Sequence, residues 1–286
     1  MMEKLAPKPE LLANTGDRCG ENPLWDDARG VFFWCDIPDG EIYEYNPRTK
    51  SHRLVHKGAE CGAFTLQYDG NLLLLYVGSA AILNPETGAL KHLRDGVVFD
   101  TERFNDCIAK PDGSLFAGTV DWSQGKRGGL FDLDLKLESK RITTGTACSN
   151  GMAFTPNLQG LYWADSTAKT VYLFDFDEEN GLSNRRAWLH TPDFTPDGLT
   201  IDKDGNLWIT YFDGGFLRHY DADANLVRQV DVPAKHVTSC IFGGQNLDEL
   251  YITTAGGKAG EISPSGGLYR LACEVGGKRE FRTRIG

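Results

Sequence analysis

Four residues far apart in the chain, Glu21, Asn105, Asn150 and Asp197, each present a side-chain oxygen at the same point of a recurring pattern. Pro196-Asp197-Gly198 is followed by a short apolar segment, an Asp-Gly turn and the strand-like run Leu207-Trp208-Ile209-Thr210-Tyr211. Asn150 opens Asn-Gly-Met-Ala-Phe-Thr-Pro ahead of Leu161-Tyr162-Trp163, Asn105 leads to Leu115-Phe116-Ala117, and Glu21-Asn22-Pro23 leads to Val31-Phe32-Phe33-Trp34. Carboxylate and carboxamide oxygens suit a hard or borderline divalent cation: Ca²⁺, Mg²⁺, Mn²⁺, Fe²⁺ or Zn²⁺. Glu21 and Asp197 would repel each other at one site unless protonated or bridged, and their two formal charges balance one such ion. A small set of protein ligands leaves positions for water and substrate, as a catalytic centre requires. Singly, an Asp or Asn before Gly is an ordinary turn former; the shared phase of the set is what points to a site.

That phase defines the elements that must position the set. Gly62 and Ser239 lead equivalent units, so the six leads Glu21, Gly62, Asn105, Asn150, Asp197 and Ser239 are separated by 41, 43, 45, 47 and 42 residues. A period of roughly 40–50 residues is that of a four-stranded propeller blade. The predicted architecture is all-β, a six-bladed β-propeller with four-stranded blades, in which residues 1–286 form a single domain. Its leads gather at one end of the central channel, on loops feeding the hairpins. Residues 11–15 read as a strand that closes the ring against the last unit, and residues 1–10 as a frayed end. Six in-phase repeats fit poorly into the alternative, a β-sandwich. The polar, glycine-rich stretches 121–129 and 255–267 read as loops at the channel mouth, where contacts to substrate concentrate.

Composition narrows the function. A formal charge of −10 over 286 residues disfavours a nucleic-acid partner. No apolar stretch approaches a membrane span, and none before Glu21 is long enough for a signal peptide, so a cytoplasmic protein that binds no membrane is expected. The seven cysteines lack framework spacing and read as small buried thiols in a reducing compartment. Gly-x-Ser-x-Gly and His-Glu-x-x-His motifs are absent. Asp221-Ala-Asp223-Ala-Asn225 starts like a calcium loop, but Leu226 replaces the required glycine, leaving a polar turn. The six histidines avoid the leads and are expected mostly at the surface, which disfavours a His-based triad or zinc site.

Arg18-Cys-Gly-Glu21-Asn-Pro-Leu-Trp25, Arg103-Phe-Asn105-Asp106, Ser149-Asn150-Gly151, Ser183-Asn184-Arg185-Arg186, Pro196-Asp197-Gly198 and Thr238-Ser-Cys-Ile-Phe-Gly-Gly244 together resemble the senescence-marker-protein/gluconolactonase family, which includes regucalcin. The resemblance runs in order from about residue 14 to 271. It implies one divalent metal ion held by Glu21, Asn150 and Asp197, substrate contacts from Arg103 and Asn105, and hydrolysis of sugar lactones. The sequence departs from the family where an acid follows the Ala-Gly-Thr strand: after Ala117-Gly118-Thr119 come Asp121 and Ser123, with Ser123 at the acid's place. Asp121 and Ser123 therefore enter as candidate substrate contacts that alter sugar preference. The loop after Thr253-Thr254-Ala255 also lacks the family's Gly-Met-Asp pattern.

The expected partner is a small-molecule sugar lactone, and the protein is expected to be a monomer or weak homo-oligomer. In the expected reaction Asp197, the catalytic candidate, orders or deprotonates the attacking water beside the cation. Two rivals stay open: an organophosphate or aryl-ester hydrolase on the same metal, and a calcium-binding regulatory propeller without turnover.

Overall fold

The computed structural model describes residues 8–123, 125–256 and 265–286. Its strands, numbered β1–β24 in chain order, form six four-stranded antiparallel sheets, each running outward from an inner strand. The inner strands are β2 (Gly20–Asp26), β6 (Ala63–Leu66), β10 (Arg103–Ala109), β14 (Ser149–Phe154), β18 (Pro196–Ile201) and β22 (His236–Gly243). This is a six-bladed β-propeller. Each second strand is enclosed on both faces and reads as an almost unbroken apolar run, such as Val31–Asp36 and Leu72–Leu75. The outer strand of the first blade, Ser51–Lys57, faces water and is polar.

Apolar burial lies between blades. Six clusters form, one at each blade junction: Phe33 and Ile42 meet Phe64 and Leu72 between the first and second blades, and Leu199 and Ile209 meet Tyr162 and Val171 between the fourth and fifth. The first blade meets the last through Phe32 and Trp34 against Tyr251 and Leu268. The ring is closed by β1 (Glu10–Ala13), which pairs antiparallel with β24 (Leu268–Ala272) as the outer strand of the sixth blade. Glu10, expected in a frayed end, thus belongs to a strand and is ion-paired with Arg270 at 2.6 Å. Residues 1–7 of that expected end, residue 124 of the loop 121–129, and residues 257–264 of the loop 255–267 lie outside the described residues.

All but one of the leads sit on strands rather than on loops. Five of the six fall within the inner strands, and Gly62 immediately precedes β6. In those five strands the pairing register slips beside the lead: between Glu21 and Leu24, Phe104 and Asp106, Ser149 and Met152, Pro196 and Leu199, and Val237 and Ser239. A β-bulge bends a strand and re-aims its side chains. At Asn150-Gly151 and Asp197-Gly198 the Asn-Gly and Asp-Gly signatures record this bulge.

The opposite ends of the inner strands are covered by residues 277–285. Gly277 bridges Asp202, Thr283 bridges Gln67, and Arg284 N donates to Gly113 O at 2.9 Å. Arg282 Nη2 reaches Asp26 and Asp27 at 2.8 and 2.6 Å, and Phe281 packs edge-on to Phe154. The tail thus covers the mouth of the channel away from the leads.

Candidate functional site

Close approach of the inner strands builds the site. A Cβ on Gly62 would stand 1.8 Å from Phe104 O, and one on Gly198 would stand 2.1 Å from Ser239 Oγ, so only glycine lets neighbouring blades meet there. Hydrogen bonds close a belt around the channel. Asn22 Nδ2 donates to Gly62 O (2.9 Å) and Asn105 O (3.2 Å), and Asn105 Nδ2 donates to Asn150 Oδ1 (2.8 Å). Asn150 Nδ2 donates to Ser166 Oγ (3.0 Å), whose hydroxyl donates to Pro196 O (2.6 Å). Thr210 Oγ1 lies 2.8 Å from Gly198 O and 2.7 Å from Thr238 O, and Thr238 Oγ1 donates to Gly20 O at 2.5 Å. Every blade is tied in, and the amides of Asn22, Asn105 and Asn150 have fixed orientation.

Glu21, Asn105, Asn150 and Asp197 are each 5 % exposed. Burial, the charge of Glu21 and then that of Asp106 hold the Asp197 carboxyl well above the carboxylate range, with Arg103 only partly opposing them. Glu21 is pushed up likewise, by burial first and by Asp106 next, against the Asn22 N–H that donates to its Oε2 at 2.9 Å and the Arg103 charge. Asp197 Oδ1 is buried with no hydrogen-bond partner. An orphaned buried carboxylate oxygen is costly, and a cation held by Glu21, Asp197 and the belt-fixed Asn150 would satisfy it. The donor set is all oxygen with two formal charges, which fits one divalent ion.

Arg103 lines the same channel. Its Nη1 donates to Phe104 O at 2.9 Å and Asn105 Oδ1 at 2.6 Å, and its Nε lies 2.9 Å from Glu60 Oε1. Asp121 and Ser123 sit on the adjoining loop. Asp121 Oδ1 accepts from Ser123 N, and its Oδ2 accepts from Arg127 N and Nε, which holds the carboxyl well below its ordinary range. Ser123 is exposed, and its Oγ accepts from Gly125 N.

Several groups escaped the sequence reading. Asp106 lines a cavity of about 50 Å³ with Asn22, Ser239, Met152 and Glu280, the last from the tail. Burial pushes both Asp106 and Glu280 up to about 7. His219 is buried rather than at the surface: it stacks on Trp208 at 4.2 Å and meets Asp202 at 3.2 Å. The acidic group Asp36, Asp39 and Glu41 is already engaged: Arg18 N and Cys19 N donate to Asp36, Arg18 pairs with Asp39, and Tyr43 and Lys57 meet Glu41. None of the seven cysteines is disulfide-bonded. Burial first, then the carboxylates, raises the thiols of Cys19 and Cys148, which argues against a thiolate nucleophile.

Residues 19–256 match the family model described as SMP-30/Gluconolactonase/LRE-like region. The chain belongs to this family. Among its relatives, the pentonolactonase XacC of Haloferax volcanii is 35 % identical over 96 % of this chain and 97 % of its own length. Regucalcin of Oryctolagus cuniculus is 31 % identical over 87 % of each chain. A solved luciferin-regenerating enzyme superposes with a TM-score of 0.89 at 26 % identity, covering 98 % of this chain and all of that one. Among the described residues no helix is long and apolar enough to cross a membrane.

Proposed function

We propose that this family member is a cation-dependent hydrolase that opens sugar lactones, aldono-1,4- or 1,5-lactones, to aldonates in carbohydrate catabolism. The observation that carries the reading is the buried, unpartnered Asp197 oxygen beside Glu21, in a channel that also presents Arg103. Pentonolactonase activity in a relative aligned over nearly the whole of both chains supports it.

Glu21, Asn150 and Asp197 would hold the ion. When bound, a divalent cation supplies Lewis-acid polarisation of the lactone carbonyl and stabilises negative charge as it develops on oxygen. Asp197 orders the attacking water and takes its proton as the new C–O bond forms. The ring C–O bond then breaks, and the proton passes to the departing alkoxide, giving the open hydroxy acid. Arg103 and Asn105 position the substrate's oxygens, and Asp121 braces the loop bearing Ser123 at the mouth. Bound substrate enters and leaves by this mouth, because the tail covers the other.

A panel of hydroxylated and plain lactones, aryl esters and organophosphates, assayed with metal-stripped and metal-reloaded protein, tests the reading. Lactone turnover that disappears on stripping and returns with one divalent ion per chain is expected. Metal binding without turnover of any lactone would overturn it in favour of the regulatory alternative, and preference for aryl esters or organophosphates would reassign the substrate.

A further inference from the structure

Arg103 is held by an acid that neither the repeat pattern nor the metal set explains. Glu60 lies on the connection from the first blade's outer strand to β6, two residues before Gly62. The connection is rigid: Gly58 N donates to Gly40 O at 2.9 Å, Gly62 N donates to Leu75 O at 3.1 Å, and Cys61 is buried. The Glu60 side chain is 42 % exposed and that of Arg103 only 16 %. A half-exposed ion pair contributes little to stability, so the fold itself gives scant reason for an acid there.

The guanidinium's remaining bonding capacity gives a better one. Nη1 is spent on Phe104 O and Asn105 Oδ1, which fix the plane of the group, and Nε faces Glu60. Among the described residues, Nη2 donates no hydrogen bond to protein and the Glu60 carboxylate meets no donor besides Arg103 Nε. At the open mouth this leaves a donor and an acceptor side by side. A hydroxyl can accept from one and donate to the other, whereas a ring without hydroxyls would desolvate both and pair neither. Sites built to hydrogen-bond a substrate hydroxyl discriminate strongly against analogues lacking it.

We propose that Glu60, together with Arg103, is a specificity-determining residue that selects polyhydroxylated lactones over unsubstituted ones. The inference rests on the lactonase reading above. Glu60 acts twice: it holds Arg103 in place and accepts from a substrate hydroxyl.

The test compares wild type, Glu60→Ala and Glu60→Gln on a pentono- or hexonolactone and on γ-butyrolactone. In Glu60→Ala the ratio of kcat/KM for the hydroxylated over the plain lactone should fall about ten-fold, mainly through KM of the hydroxylated substrate, as expected for one lost charge-assisted hydrogen bond. Glu60→Gln, which keeps an acceptor oxygen, should fall between the two. An unchanged ratio, or equal losses on both substrates, overturns the proposal while leaving lactone hydrolysis intact. Should wild type open no lactone, the functional reading fails separately, and calorimetry with a non-hydrolysable polyhydroxylated lactam decides for Glu60. About ten-fold weaker binding in Glu60→Ala would sustain its role; equal binding, or none by wild type, would end it.

Discussion

Asp197 lies near the start of the inner strand β18 and Asp202 directly follows its end, and both are buried. Asp202 is surrounded by donors: Asp204 N, Asn206 N, Asn206 Nδ2 and His219 lie within hydrogen-bonding distance. These partners outweigh burial and hold its carboxyl below the ordinary range. Asp197, five residues earlier, has an oxygen with no partner, and burial with the neighbouring Glu21 drives its carboxyl the other way. One acid fastens a turn to its hairpin. The other is kept unsatisfied, at a cost in stability that a bound cation would offset. Burial alone does not distinguish structural from functional carboxylates; the state of their hydrogen bonds does.

Exchanging each acid for alanine should separate the two roles most sharply. Asp197→Ala is expected to lower kcat/KM at least about a thousand-fold and to reduce metal content, because a ligand and the water-ordering base vanish together. The metal-free variant should unfold no more readily than metal-free wild type, since a buried carboxyl oxygen without a hydrogen-bond partner has gone. Asp202→Ala should lose about 2–4 kcal/mol of unfolding free energy, leaving His219 and two backbone N–H groups without their acceptor, while folded molecules keep their turnover. Denaturant unfolding and lactone kinetics on both variants would break the comparison if stability and activity moved together.

Arg103→Ala should have a smaller effect. A fall in kcat/KM of about ten- to a hundred-fold is expected with metal content near one ion per chain, because a guanidinium offers no lone pair to a cation. Elemental analysis showing metal loss in this variant would erase the division between ion-holding and substrate-holding residues.

The weakest effect concerns pH. Glu21 and Asp197 are raised, and Asp106 and Glu280 are raised to about 7, so the metal-free native channel retains protons that the unfolded chain releases near its ordinary carboxylate values. Their stabilisation is present at low pH and is lost as pH rises through about 7. Asp202 has the opposite sign: its contribution is present at neutral pH and fades on strong acidification. Denaturant midpoints of stripped protein should therefore fall from about pH 5 to about pH 8, and added divalent cation should flatten that slope. A midpoint that rises over this range would place the channel carboxylates with Asp202.

The sequence exposed whatever the blade repeat imposes. Five of the six inner strands carry a bulge beside the lead, and at two of them the bulge writes Asn-Gly or Asp-Gly, so Asn150 and Asp197 announced themselves. Why those residues lie on strands rather than loops was hidden, because a bulge and a turn use the same residue types. Asp202 precedes the Asp204-Gly205 turn and carries no mark of its own in the sequence; its role depends on His219, which arrives from another strand. Residues 277–285 carry no periodicity, and their partners Asp26 and Asp27 lie some 255 positions away. Glu60 belongs to no motif, and only the path of the Arg103 side chain gives it meaning.

The pairing of β1 with β24 also sets a timetable for synthesis. Blades can form one after another as the chain emerges, each covering the apolar flank of the one before. The first blade's outward flank, with Phe32, Trp34 and Tyr45, waits for the last. At roughly 5–20 residues per second that flank stays uncovered for about 10–40 s on the ribosome. For that interval the nascent protein is an open-ended stack, and whatever shields the first blade from other chains must act before the ring exists.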